Sequence, residues 1–236
     1  MERKIFAIGD LHLPGGDKKP MDIFGEHWRN HFERISEDWR ARVRETDIVL
    51  IPGDISWAMY LEDAVEDLKR IAELPGTILI LRGNHDYWWN SLTQLRCNLP
   101  PNMFAVQNDA MCIDDVVFAG TRGWVIPTEL KDGDKNTKIY KREIQRLELS
   151  LSAAKKLSEG RTIISMMHYP PIGKEWLRSG TGFTDLMTSY GVKCCVYGHL
   201  HGACIPNAFS GMYRGVCYEL VSCDALGFRL KEITLE

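Results

Sequence analysis

Hydrophobic positions along the chain alternate between two kinds of segment. Short apolar runs of four to six residues (Lys4–Ile8, Ile48–Ile51, Thr77–Leu81, Thr162–Met167, Lys193–Tyr197) are bounded by polar clusters and predict buried strands. Between them, apolar residues recur every three or four positions. Phe24, Trp28, Phe32, Ile35, Trp39 and Val43 predict one long amphipathic helix. Leu61, Val65, Leu68 and Ala72 predict a second, closed by Pro75-Gly76. Ile144, Leu147, Leu151 and Ala154 predict a third, with Gly160 as its stop, and a short helical segment leads to Pro100-Pro101. Ala110–Ile113 and Val116–Ala119, joined by Asp114-Asp115, predict a hairpin. Further strands are expected over 213–221 and 228–235. The stretch 121–138 reads as a long loop, of a length that inside a compact domain often marks function, and 169–182 reads as a second loop. Strand and helix alternate without repeat, low-complexity tract or linker, so the expectation is α/β, with 1–236 as a single domain.

The residues just past each strand change the picture. Five strands close on compact polar clusters: Asp10-Leu11-His12, Gly53-Asp54, Gly83-Asn84-His85-Asp86, His168, and Gly198-His199-Leu200-His201. In open α/β sheets the carboxyl ends of the strands are where ligands bind. Five of the seven histidines fall in these clusters. The other two, His27 and His31, stand four apart in the first expected helix; without a carboxylate motif beside them they read as solvated helix residues. Oxygen and imidazole donors without thiolate suit Mn²⁺, Fe²⁺, Zn²⁺ or similar ions. Seven such donors are too many for one catalytic ion that must keep an open position, and enough for two, a carboxylate bridge holding the pair ~3.5–4 Å apart.

This ordered set of blocks, from Gly9 to Gly202, resembles the calcineurin-like metallophosphoesterase superfamily. The resemblance implies a four-layer α-β-β-α sandwich of two mixed sheets. It implies that Asp10, His12 and His201 hold one ion, that Asp54 bridges, and that Asn84, His168 and His199 complete the second site. It implies that His85 protonates or stabilises the leaving oxygen while Asp86 orients its ring. The activity implied is hydrolysis of phosphomono- or diesters by a hydroxide held between two divalent ions (Mn, Fe, Zn, Ni or Co). A catalytically silent binding or scaffold module of the same fold is the alternative, and a regulated subunit using the 121–138 loop for a partner is a third reading. Many relatives carry a further acidic residue after Gly-Asp, where this chain has Ile55-Ser56-Trp57. Support for Asp54 must then come from Ser56 or a backbone group. Gly-Asn-His-Asp also departs from the Gly-Asn-Arg-Asp of the lipid A pathway hydrolases.

Two residue classes stay open between a role in the site and a bland one. Arg122 offers either a substrate phosphate clamp or a surface arginine. Trp57, Tyr87 and Trp88 offer either a stacking surface for substrate or core. Lys18 and Lys19 read as solvated.

Composition narrows the partners. With 236 residues, 44% hydrophobic, 26% charged and a net charge of −3, the chain lacks the basic balance that phosphate neutralisation on nucleic acid demands. Nucleic acid is disfavoured as a partner on that ground. Seven cysteines, an odd number without a Cys-x-x-Cys pair, predict reduced thiols and no structural zinc site. No apolar run approaches the ~18 residues of a membrane span, and Met1 is followed almost at once by a strand, so a cytoplasmic protein is expected.

Overall fold

A computed structural model describes residues 3–16 and 20–235; Lys18 and Lys19, expected to be solvated, lie outside the described residues. The fold is α/β, with two mixed sheets and flanking helices, in two compact units: Met1–Ala105 with Val221–Thr234, and Val106–Leu220.

The first unit is built on β1 (Ile5–Ala7), β2 (Ile48–Ile51), β3 (Thr77–Ile80), β4 (Met103–Ala105) and β11 (Lys231–Glu232). Their order is β11-β1-β2-β3-β4, with β1 to β4 parallel in sequence order and β11 antiparallel on the edge. All four residues of β2 are buried, which is why its sequence is an unbroken Ile-Val-Leu-Ile run without alternation. Helices α1 (His31–Arg42), α2 (Leu61–Ala72) and α3 (Leu92–Asn98) accompany this sheet. Phe32, Ile35 and Trp39 of α1 and Ala64, Leu68 and Ile71 of α2 join Phe6, Val49, Ile51, Ile78 and Ile80 in one core.

The long helix expected from Phe24 to Val43 is shorter than its periodicity. Two 3₁₀ turns, Met21–Phe24 and Glu26–Trp28, precede it, and α1 starts only at His31. Gly25 (φ 132°) and Asn30 (φ 51°) leave the right-handed region and break the run. Phe24, counted as core by spacing, is 60% exposed.

The second unit contains β5 (Ala110–Ile113), β6 (Val116–Thr121), β7 (Thr162–Met167), β8 (Cys194–Tyr197), β9 (Gly211–Tyr213) and β10 (Val216–Leu220), in the order β5-β6-β7-β8-β10-β9. The four central strands are parallel, and β5 and β9 are antiparallel edges. The hairpin expected over 110–119 is present, its turn at Asp114 (φ 52°). Helix α4 (Lys135–Ser158) covers β5, β6 and β7, and α5 (Gly182–Ser189) packs on α4.

Three expectations are corrected by the structure. The 121–138 loop ends at 134, because the Asp134 carboxylate accepts the Thr137 N–H at 2.8 Å and caps α4. The strand expected over 213–221 is a hairpin, β9 and β10, turning at Arg214 and Gly215, both with positive φ. The strand expected over 228–235 shrinks to β11.

All seven cysteines are free thiols. Among the described residues, no helix is long and apolar enough to cross a membrane.

Candidate metal centre

In the first unit the expected ligands follow β1, β2 and β3, three adjacent parallel strands, so their loops leave the same sheet edge. Asp10 and Asp54 are buried, and His12 is 4% exposed. All three have left-handed backbone: φ 59° at Asp10, 46° at His12, 51° at Asp54. For side chains of these shapes that conformation costs about 1–3 kcal/mol each and persists only where the surroundings impose it. Here the loops brace one another. Asp10 N–H donates to Gly53 O (2.9 Å), His12 N–H to Asp54 O (3.0 Å) and Leu13 N–H to Ile55 O (2.9 Å). The Cys223 thiol donates to Asp10 O at 3.1 Å. His12 Nε2 lies 3.9 Å from Asp54 Oδ2.

Support for Asp54 comes from the backbone: His85 N–H donates to its Oδ1 at 2.8 Å. Ser56 faces elsewhere, its hydroxyl donating to Asp67 Oδ2 at 2.6 Å; the Gly15 N–H reaches the same oxygen at 2.8 Å. Burial raises the Asp67 carboxyl above its usual range. Nothing in the blocks announced Asp67. The available signal was an acid on the face of α2 that also carries Ala64, Leu68 and Ile71.

Asp86, expected to orient the His85 ring, instead directs both oxygens at the chain's own backbone. It accepts from the N–H groups of Asp54 (2.9 Å), Ile55 (2.9 Å), Ser56 (3.2 Å) and Gly83 (2.7 Å), and from the Trp88 indole (3.2 Å). One carboxylate thereby ties the loop after β2 to the loop after β3. Complete burial, with the Asp54 charge second, pushes its carboxyl up to about 6 against the opposing pull of those donors. Asn84 and His85 are half-buried on the same loop. Trp88 is core, Tyr87 is exposed, and Trp57 is half-buried beside His12 and His85.

The second unit repeats the construction on β6, β7 and β8, again adjacent and parallel. His168 is buried, and its N–H and that of Tyr169 both donate to Arg122 O, at 3.1 and 2.9 Å. The His168 and His199 rings lie 5.1 Å apart, and Tyr169 packs on His199 at 4.1 Å. His199 has φ 75°, and His201 follows it half-buried. The Arg122 guanidinium sits over Trp124 at 5.2 Å and 3.9 Å from buried Glu143. Glu143 also accepts from Thr121 Oγ1 (2.7 Å), Gly123 N–H (3.1 Å) and Arg146. This acid was another residue the motifs gave no hint of.

His31 stands apart from these clusters. Its Nε2 lies 2.8 Å from Leu11 O, and burial lowers its pKa, so it reads as a neutral ring donating to that carbonyl.

The sequence model of the calcineurin-like phosphoesterase family matches residues 3–203, which include every block described above. The chain belongs to that family. Solved structures of similar fold include a protein of unknown function from Aquifex aeolicus. It is 12% identical, with 98% of this chain and 96% of that one covered, at a TM-score of 0.51. Another is a phosphopantetheinyl hydrolase of Mycobacterium tuberculosis, 15% identical, with 100% and 97% covered, at a TM-score of 0.55. At these identities the likeness is one of fold. Comparison with curated protein sequences gives no match.

Proposed function

We propose that this member of the calcineurin-like phosphoesterase family is a two-metal hydrolase of phosphomono- or diesters. In this reading Asp10, His12 and His201 hold one divalent ion, and Asn84, His168 and His199 hold a second, with Asp54 shared. The donor set fits: carboxylate, amide oxygen and imidazole, with no thiolate, suit ions such as Mn²⁺, Fe²⁺ or Zn²⁺. When bound, such ions polarise phosphoryl oxygens and lower the pKa of water toward neutrality.

The observation that carries the reading is the left-handed backbone at buried Asp10, His12 and Asp54. Three unfavourable conformations at three donor side chains, each braced by backbone hydrogen bonds, is what a preorganised ligand set requires. His85 is assigned the proton delivered to the leaving oxygen: its backbone is fixed on Asp54 while its ring stays half-exposed, open to a substrate. Asp86 serves it indirectly, by holding the loop. Arg122 is assigned the substrate phosphate, since a 3.9 Å approach to Glu143 leaves room for a closer bidentate partner.

The test is hydrolysis of p-nitrophenyl phosphate and bis-p-nitrophenyl phosphate by chelator-stripped protein, with Mn²⁺, Zn²⁺, Ni²⁺ or Mg²⁺ restored singly. Metal-dependent turnover is expected, and the preferred ester separates monoesterase from diesterase. His85→Ala should lower kcat by roughly 10²–10⁴-fold with metal uptake unchanged. Absence of both turnover and stoichiometric metal uptake would overturn the reading; uptake without turnover of either ester would favour the silent binding module.

A further inference from the structure

We propose that Trp57 is a positioning residue of this centre, a fixed ring that sets the planes of the His12 and His85 imidazoles together. The proposal rests on the roles given above to those two histidines.

The Trp57 indole lies 4.7 Å from the His12 ring at an interplanar angle of 18°, a stacked contact. It lies 4.5 Å from the His85 ring at 52°. Both separations fall at the short end of the range over which aromatic rings attract. The two imidazoles are themselves 5.9 Å apart. One indole therefore backs both a proposed metal ligand and the proposed acid. The platform is held at two points. Its backbone N–H donates to Leu13 O at 2.9 Å, one residue beyond His12, and its indole N–H donates to Met21 Sδ at 3.3 Å.

Geometry explains why such a ring is needed. An imidazole on a left-handed backbone has its Cβ fixed, but its ring can still rotate about χ2, a broad torsion. Trp28 meets the His12 ring edge-on at 6.2 Å and 63°. Stacking by Trp57 and edge contact by Trp28 bound that rotation from two directions, leaving one plane in which a ring nitrogen is offered. At His85, Trp57 is the closer ring and Tyr87, at 6.3 Å and 48% exposed, the looser one. Trp57 thus contributes more to the angle that His85 presents to the phosphate. Core packing alone would predict a deeply buried indole in contact with aliphatic neighbours. Trp88 and Trp89, two and three residues after Asp86, are at 1% and 0% exposure, whereas Trp57 is half-buried at the margin of that core and in contact with the two histidines.

The experiment compares Trp57→Leu and Trp57→Phe with wild type in three measurements. The first is kcat and KM on bis-p-nitrophenyl phosphate. The second is Mn²⁺ retention in competition with a chelator. The third is the NMR positions of the His12 and His85 ring protons in metal-free protein. In Trp57→Leu, kcat and metal affinity should each fall about 10–100-fold, the range typical of residues that orient ligands. KM should change less than about threefold, and the ring protons should lose the shifts that a stacked indole imposes. Trp57→Phe, which keeps a ring face, should recover most of both losses. Unchanged kcat and metal affinity in folded Trp57→Leu would overturn the proposal; so would losses in Trp57→Phe as large as in Trp57→Leu. If Trp57→Leu does not fold, Trp57→Phe and Trp57→His decide instead, and both must retain a stacking-shifted His12 ring. Should wild type hydrolyse neither ester, the NMR and metal-competition measurements still decide on Trp57, separately from the hydrolase assignment.

Discussion

Gly83 is the residue on which the candidate ligand loops of the first unit turn. A Cβ built there would lie 2.1 Å from Asp54 Oδ1 and 2.2 Å from Asp54 N, so the loop after β3 passes where no other side chain fits. Its own N–H donates to Asp86 Oδ2 at 2.7 Å. Gly83→Ala should push the two loops apart, cost about 1–3 kcal/mol through overpacking, and weaken metal uptake at least 10-fold. Equilibrium dialysis against Mn²⁺ with parallel urea unfolding checks this; wild-type uptake in the variant would contradict it. The Gly-Asn-His-Asp block was conspicuous in the sequence, as were Asp10, His12, Asp54 and the later histidines, because donors placed directly after apolar runs stand out. What each neighbour does was less legible. The family resemblance makes Asp86 a partner for the His85 ring, yet in space it serves four backbone N–H groups from two loops. Such partners are set by tertiary approach, which spacing along the chain does not encode.

Among elements, legibility followed burial. The bounds of β2 and β7 and the span of α2 match the pattern because each is apolar enough to declare its limits. The three-residue edge strands β4 and β9 are too short to show alternation, and α1 was overextended because a 3₁₀ turn carries apolar residues at nearly the helical spacing. The joint between α1 and β2 shows how an element start is enforced. Asp47, just before β2, accepts from Lys4 N–H (3.0 Å), Arg44 N–H (2.9 Å) and the Arg44 guanidinium (3.1 and 2.9 Å). Burial works to raise its carboxyl, but the Arg44 and Lys4 donors outweigh it and hold the group below the usual carboxylate range. A depressed carboxyl contributes stability that is complete above its unfolded value of ~3.9 and is lost as pH falls through its folded value. Asp47→Asn should therefore lower stability near neutral pH by about 1–3 kcal/mol, since a buried acceptor of several donors is weakened. The gap to wild type should close as the medium is taken below pH ~4. Urea titrations at several pH values measure it, and a gap independent of pH would refute the assignment.

On the scale of the whole molecule, the proposed centre has a consequence beyond catalysis. Asp10, His12, Asp54 and Asn84 belong to one compact unit and His168, His199 and His201 to the other, the first set at the ends of three adjacent parallel strands and the second at the ends of two. On the proposed two-metal reading, metal binding becomes a source of stability for both sets of ligands, because an ion that binds only the folded protein adds RT ln(1 + [M]/Kd), about 2.7 kcal/mol at a hundredfold excess over Kd. Chelation should then lower Tm, and the loss should not be confined to the unit whose ligand is altered. Asp54→Ala, a change in the first unit, is expected to abolish most of the metal-dependent protection of amides in β7 and β8 of the second. Hydrogen exchange with and without Mn²⁺ reads this directly. If Asp54→Ala leaves metal-induced protection of β7 and β8 at the wild-type level, those histidines bind without Asp54 and its bridging role is lost. If protection disappears while the metal-free exchange pattern of the second unit stays that of wild type, the effect has passed through the ions, as a carboxylate shared between two sites demands.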